Sequence, residues 1–228
     1  MARKATSSGD RPSPVQANGG TRERVLDAAL TEFGTTGFDG TSLDQLAAEL
    51  GVRKQTILYY FPTKAELLDA VVDEAAGDLT TALEEAVARA GPGFGRVEAI
   101  VRSVFRLALR RPELLGLLRE VSRLGPPTAT RLTDALEPLV QSATGFLEAE
   151  MRAGRMRECD ARLLLLSVYS TVIGVATEVE VLRAVGIEPT LRSTAVRRRE
   201  LLTFLRSALL TASPHGDPAP GPSGRSGR

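Results

Sequence analysis

The sequence has one cysteine, one histidine and no tryptophan among its 228 residues. A single thiol, Cys159, cannot form a disulfide within the chain, and no apolar signal segment is seen at the N-terminus, so we expect a protein of the reducing cytoplasm. The only histidine, His215, lies in a tail of Pro, Gly and Ser that cannot hold a catalytic imidazole in fixed geometry. The usual zinc sites need several thiolates or imidazoles. The composition therefore predicts no histidine-based active site, no metal and no cofactor.

Hydrophobicity and charge exclude two further classes of protein. The longest apolar stretch, residues 163–177, has 15 residues, whereas a membrane-spanning helix needs roughly 20, so we expect no membrane partner. None of the three lysines follows a glycine-rich loop, which excludes a P-loop nucleotide site. The net charge is only +1. Any site for nucleic acid must therefore come from a local concentration of positive charge.

Apolar residues recur at three- and four-residue spacing along most of the chain, and no segment has the alternation of a strand. Together with the glycines, prolines and capping residues between segments, this spacing predicts helices over residues 21–34, 42–50, 54–60, 63–89, 94–110, 112–124, 127–153, 159–185 and 190–211. Pro138 should kink or split the helix that contains it. The predicted fold is all-α.

The predicted helices divide the chain into four regions. Two short helices joined by a glycine turn cannot bury their own apolar faces, so the helices on either side must cover them, which is the arrangement of a small helix-turn-helix domain. The four regions are a flexible basic N-terminal arm over residues 1–20, the helix-turn-helix domain over 21–68, a second helical domain over 69–211 and a disordered tail over 212–228.

Positive charge is concentrated at the second short helix. Residues 51–64 contain Arg53, Lys54 and Lys64 and no acid. Arg53, Lys54, Gln55 and Thr56 offer groups that can hydrogen-bond base edges, since Arg and Lys suit guanine and Gln suits adenine. The tyrosines near the other end of the helix, Tyr59 and Tyr60, are suited to phosphate. A solvated helix face beside a turn explains the same residues equally well.

Residues 21 to about 68 contain a specific combination of residue types at fixed spacings: residues 21–29, Phe33, Gly37, Phe38, Thr41, Ser42, Leu46, Ala47, Gly51, Val52, Tyr60, Phe61, Thr63, Lys64 and Leu67. This pattern resembles the DNA-binding domain of the TetR family of bacterial transcriptional regulators. It implies a three-helix DNA-binding domain followed by a helical domain, which dimerises through its last two helices and encloses a small-molecule pocket.

By position in the family pattern, nine residues are candidate DNA contacts. Thr41 and Ser42 would cap the first short helix and contact phosphate. Lys54, Gln55 and Thr56 would face the bases, next to Arg53. Tyr59, Tyr60 and Lys64 would hold the DNA backbone. The sequence departs from the family pattern at Leu58 and Gln55, which leaves the base preference open.

The resemblance also implies a pocket for an effector, which we expect to be a largely apolar small molecule. Candidate lining residues are Phe105, Leu109, Leu118, Phe146, Tyr169 and Ile173, with Ser170 or Arg106 to orient a polar end. Each of these is also explained as an ordinary core residue. Arg106 is explained too by a solvated helix face, because Arg102, Arg106 and Arg110 recur at four-residue spacing.

The function predicted from these observations is that of a ligand-responsive homodimeric transcriptional regulator, a repressor, which binds a palindromic operator in double-stranded DNA and catalyses no reaction. Two alternatives remain open. One is a helical adaptor that has lost DNA binding, since residues 21–64 carry five cations and six acids. The other is a helical enzyme with a carboxylate site.

Overall fold

The computed structural model describes residues 14–211, with side chains from Gly20 onward. This range contains ten helices: α1 (Pro14–Thr35), α2 (Leu43–Leu50), α3 (Lys54–Tyr60), α4 (Lys64–Ala88), α5 (Phe94–Arg110), α6 (Pro112–Leu124), α7 (Thr128–Arg152), α8 (Ala161–Thr177), α9 (Val179–Ala184) and α10 (Leu191–Leu209). Residues 14–211 include no strand, only an isolated bridge between Met156 and Leu210. The all-α prediction is confirmed. No helix in this range is both long and apolar enough to cross a membrane.

The first core cluster joins α1–α4 to α6. Its members are buried apolar residues that recur along one face of each helix: Val25, Leu26, Ala29, Leu30, Phe33, Leu46, Ala47, Ile57, Phe61, Leu67, Leu68, Val71, Val72, Ala75, Leu114, Leu117 and Val121. The last three belong to α6, which lies far along the sequence from the other helices. The helix-turn-helix therefore does not have a core of its own, because α6 completes it.

The backbones of α1 and α6 approach each other closely where Gly34 meets Gly116. A Cβ atom at Gly116 would lie 2.1 Å from the Gly34 carbonyl oxygen, and one at Gly34 would lie 2.2 Å from the Glu113 carbonyl oxygen. Since real Cβ atoms do not come this close to backbone, only glycine fits at both positions.

A second core cluster fills the other end of the molecule. Buried apolar residues from four helices and the α7–α8 connection form it: Phe94, Val97, Val101, Val104, Phe105, Leu147, Met156, Ala161, Val172, Leu201, Leu205 and Leu209. A smaller third cluster of Leu79, Leu115 and Leu118 lies between α4 and α6. Ile173 of α8 packs against both the second and the third cluster, so it marks their junction.

The structure begins α1 at Pro14 rather than at Thr21, so residues 14–20 of the predicted flexible arm are helical. Proline suits the first position of a helix, because its fixed φ is helical and the N–H it lacks would have no partner there. Residues 1–13 of the arm and the predicted tail over 212–228, with His215, lie outside the described residues.

The predicted single helix over residues 159–185 is two helices, with a break at Glu178. The reason is a distant side chain. In an unbroken helix the N–H of Val179 would donate to the Val175 carbonyl, but that oxygen accepts a hydrogen bond from the Arg197 guanidinium of α10. A basic side chain that bonds a helix's last carbonyls stabilises the end of that helix.

Pro138 does not split its helix, since α7 continues from Thr128 to Arg152. The proline removes one hydrogen bond, the one that the carbonyl of Asp134 would accept. Both residues are exposed, so water is available to that carbonyl, which explains why the helix continues.

We predict that Gly116→Ala destabilises the protein by about 1–3 kcal/mol, because the added methyl group meets backbone that has no free rotation to avoid it. The matched control is Gly77→Ala in α4, where nothing lies within 4 Å of the added carbon. That change should leave stability unchanged or raise it by about 0.5–1 kcal/mol. Urea unfolding of both variants measures the difference. Equal effects would contradict the close approach of α1 and α6.

Candidate nucleic-acid interface

Local capping signals position α2 and the turn that follows it. Ser42 forms a capping box with Gln45, in which each side chain accepts a hydrogen bond from the backbone N–H of the other residue. At the other end Gly51 takes a left-handed conformation, with φ of 66°, and its N–H bonds the end of α2. A side chain at this position would be strained, so the glycine sets the tight turn into α3.

The orientation of α3 follows from two buried anchors. Ile57 and Phe61 both lie in the first core cluster, and Phe61 is the residue at which the helix ends. With these side chains inward, the first turn of α3 points outward, and Arg53, Lys54 and Gln55 are exposed. An exposed polar first turn on the second helix of a helix-turn-helix is the part that contacts base edges in the major groove.

The remaining predicted contacts are exposed to different degrees. Tyr59 is 76% exposed, whereas Ser42, Thr56, Tyr60 and Lys64 are half-buried. The rings of Tyr59 and Tyr60 meet edge to face at 5.1 Å. The structure therefore brings eight of the nine predicted residues to the surface at or near α3.

Thr41 is the exception, since it is only 3% exposed. Its hydroxyl donates to the Gly37 carbonyl at 2.8 Å and its N–H points to the Phe38 carbonyl at 3.3 Å. Ser42 alone caps α2. Thr41 thus stabilises the turn that connects α1 and α2. Its side chain has almost no exposed surface on which a phosphate could bind. The sequence pattern did not separate these roles, because adjacent Thr and Ser are equally good capping residues.

Two contacts at this surface were not predicted from the sequence. The Lys54 ammonium forms an ion pair with Asp44 of α2, with Nζ 2.8 Å from Oδ2. Arg24 of α1 donates to the Leu50 carbonyl at 3.0 Å, at the end of α2 where a positive charge is favourable. The Asp44–Lys54 pair bears on the prediction that Lys54 faces the bases, because in that role the ammonium has to leave the carboxylate before it meets the groove.

A sequence model for the family described as bacterial regulatory proteins, tetR family, matches residues 25–71, a range that contains all of α2 and α3. Residues 25–71 therefore have the sequence of a TetR-family DNA-binding domain. The regulator RutR of Escherichia coli is 26% identical over 166 residues, which cover 72% of this chain and 76% of RutR. The repressor DrrR1 of Streptomyces coeruleorubidus is 34% identical over 120 residues, which cover 52% of this chain and 43% of DrrR1.

The fold extends this likeness beyond the DNA-binding domain. The regulator FadR of Bacillus subtilis, solved in complex with stearoyl-CoA, superposes with a TM-score of 0.68 at 19% identity, over 81% of this chain and 97% of FadR. RutR, DrrR1 and FadR are described as transcriptional regulators, and this chain, whose residues 25–71 match the family model, is a helix-turn-helix transcriptional regulator.

The structure does not bring the eight predicted effector contacts together. Phe105 and Leu118 are buried in the second and third clusters, with Ile173 between them and Phe146 at the edge of the second. Arg106, Leu109, Tyr169 and Ser170 are on the surface instead. They follow the helical period of α5 and α8, but the faces that they occupy are not covered by any other helix in residues 14–211.

None of these eight residues lines either of two surface cavities in the described part of the chain. The larger, of about 400 Å³, lies between α5 and α10. The smaller, of about 280 Å³, lies between α1 and α6. Four of the eight residues, Phe105, Leu118, Phe146 and Ile173, thus belong to or pack against the second and third clusters.

We predict that Asp44→Asn raises affinity for scrambled duplex DNA by about two- to fivefold. An exposed ion pair is worth at most about 1 kcal/mol, which the released Lys54 can recover on phosphate. The control is Glu180→Gln, which breaks the exposed Arg183–Glu180 pair of α9 and should leave affinity unchanged. Fluorescence anisotropy with labelled duplex measures both. Unchanged binding by Asp44→Asn would show that the ion pair does not compete with DNA.

Proposed function

We propose that this TetR-family regulator is a homodimeric, ligand-responsive repressor that binds a palindromic operator. The observation that carries the proposal is the exposed polar turn of α3, formed by Arg53, Lys54 and Gln55 over the buried Ile57. A rigidly anchored helix that presents cations and an amide at its start fits the edges of base pairs.

Base recognition is proposed for the first turn of α3. Gln55 is exposed and can bond the two adjacent groups of an adenine, while Lys54 or Arg53 can bond the acceptors of a guanine. Thr56 is half-buried, so its contact is limited to a base close to the helix. Phosphate contacts are proposed for Ser42, Tyr59, Tyr60 and Lys64, which surround this turn.

Homodimerisation is proposed through α8 and α10. These packed helices expose large apolar side chains on their outer faces: Leu163, Leu166 and Tyr169 on α8, and Val196 and Phe204 on α10. An exposed apolar patch of this kind marks an interaction surface. A second copy is the natural occupant, because a two-fold dimer covers the same patch on both chains and presents two copies of α3 to a palindrome.

Effector binding is proposed at the junction of the second and third clusters, among Phe105, Leu118, Phe146 and Ile173. The lining is apolar, which supports a largely apolar effector. FadR, which shares the fold, was solved with stearoyl-CoA, a ligand with a long apolar chain. An effector that prefers a dimer arrangement unsuited to the operator would release DNA by population shift.

Repression is supported by DrrR1, which is described as a repressor.

We predict that selection from a random duplex library with ligand-free protein yields a palindrome, and that Lys64→Ala weakens binding to it and to scrambled DNA alike. Loss of one phosphate contact should lower the slope of log affinity against log salt by about one per subunit. The control is Arg183→Ala, which removes an exposed cation from α9. If no sequence is enriched, the adaptor is the better description. If an operator is found and Lys64→Ala binds it as tightly as the unaltered protein, Lys64 does not hold the DNA backbone.

We predict that Phe204→Glu converts the dimer to monomers, because it places a charge in the apolar patch of each subunit. Phe204 is 59% exposed in the single chain. The control is Leu109→Glu on α5, since Leu109 is 52% exposed but lies outside α8 and α10. Sedimentation equilibrium measures the mass. A Phe204→Glu protein that stays dimeric would place the interface elsewhere.

A further inference from the structure

A carboxylate of α6 reaches the connection between α1 and α2. Glu120 Oε1 accepts a hydrogen bond from the Phe38 N–H at 2.7 Å. The same carboxylate accepts two hydrogen bonds from Arg123, both at 2.8 Å. The side chain of Glu120 is only 12% exposed, so little water competes for these bonds.

Arg123 strengthens this contact in two ways. Its guanidinium bonds Asp39, the residue after Phe38, at 3.0 Å. It also holds the pKa of Glu120 below its ordinary value, with help from the Phe38 N–H, so the carboxylate is charged at neutral pH. Hydrogen bonds to a charged acceptor are about twice as strong as neutral ones. Glu120 and Arg123 of α6 therefore bond two successive residues of the α1–α2 connection, Phe38 and Asp39.

The side chain of Phe38 in turn contacts Lys64, one of the predicted DNA contacts. The Lys64 ammonium lies 4.2 Å from the centre of the Phe38 ring, within the range of a favourable cation–π interaction. The ring itself is half-buried and meets Phe33 of α1 at 5.6 Å. Glu120, Phe38 and Lys64 thus form a continuous series of contacts from α6 to the first residue of α4.

We propose that Glu120 is a positioning residue for DNA binding, which acts by holding Phe38 under the Lys64 ammonium. This inference rests on the proposed phosphate contact of Lys64. A free lysine side chain samples many rotamers, and ordering it on DNA costs entropy. Phe38 reduces that cost by confining the ammonium before DNA arrives, provided that Glu120 keeps the ring in place.

The test is a double-mutant cycle on operator affinity. Glu120→Ala leaves the Phe38 N–H without its acceptor, so it should weaken binding by about two- to fivefold, the range of one cation–π contact. In a Lys64→Ala background the same change should have less than half that effect on log Kd, because the residue through which it acts is missing. Glu120→Gln, which retains an oxygen for the Phe38 N–H, should restore most of the affinity.

The matched control is Glu150→Ala. Glu150 is also a poorly exposed carboxylate bonded twice by one arginine, Arg155, at 2.8 Å, but it lies at the end of α7, where the second core cluster forms. Its loss should lower the free energy of unfolding and leave operator affinity unchanged. Should Glu120→Ala fail to fold, Phe38→Leu replaces it in the cycle, since this change keeps the backbone bond and removes only the ring.

The outcomes separate this inference from the function on which it rests. Losses from Glu120→Ala and Lys64→Ala that simply add, or a Glu120→Ala protein with unchanged affinity, would overturn the positioning role while the operator remains. A protein that selects no DNA sequence would refute both the proposed function and this inference. Non-additive losses with rescue by Glu120→Gln establish the role.

Discussion

The contact between the backbones of α1 and α6 determines where α3 and the rest of the helix-turn-helix lie relative to the other helices. Gly34 and Gly116 let the two helices approach without side chains between them, and Leu114, Leu117 and Val121 of α6 enter the core of the DNA-binding domain. Closely packed interiors transmit displacement rather than absorb it. Any movement of α6 is therefore also a movement of α1 and of the helices that pack on α1.

Most of the helix boundaries were predictable, because they depend on signals within a few residues. Ser42 and Gly51 mark α2, the Phe61-Pro62 pair ends α3, and Pro112 begins α6. Each acts on its own stretch of backbone through a cap or a lost N–H, and none needs a partner distant in sequence. The exposed polar turn at the start of α3 was predictable for the same reason, since short spacings place Arg53 to Gln55 on one helical turn.

The features that the sequence did not reveal all involve residues far apart along the chain. Arg197 ends α8 by bonding the Val175 carbonyl, and Asp44 pairs with Lys54. Helical spacing also cannot say which apolar face another helix covers. Phe105 and Tyr169 follow the same kind of period, yet one is in a core cluster and the other is exposed. The apolar pattern therefore predicted helices better than it predicted a pocket.

The shared core limits how far this regulator is modular. Residues 14–71 contain the whole helix-turn-helix, but its core has a gap without Leu114, Leu117 and Val121 of α6. A chimera that joins this segment to the C-terminal helices of another regulator would leave the apolar residues that pack on α6 facing foreign side chains. An exchange that keeps this buried core whole has to include α6, although the helix-turn-helix itself ends much earlier.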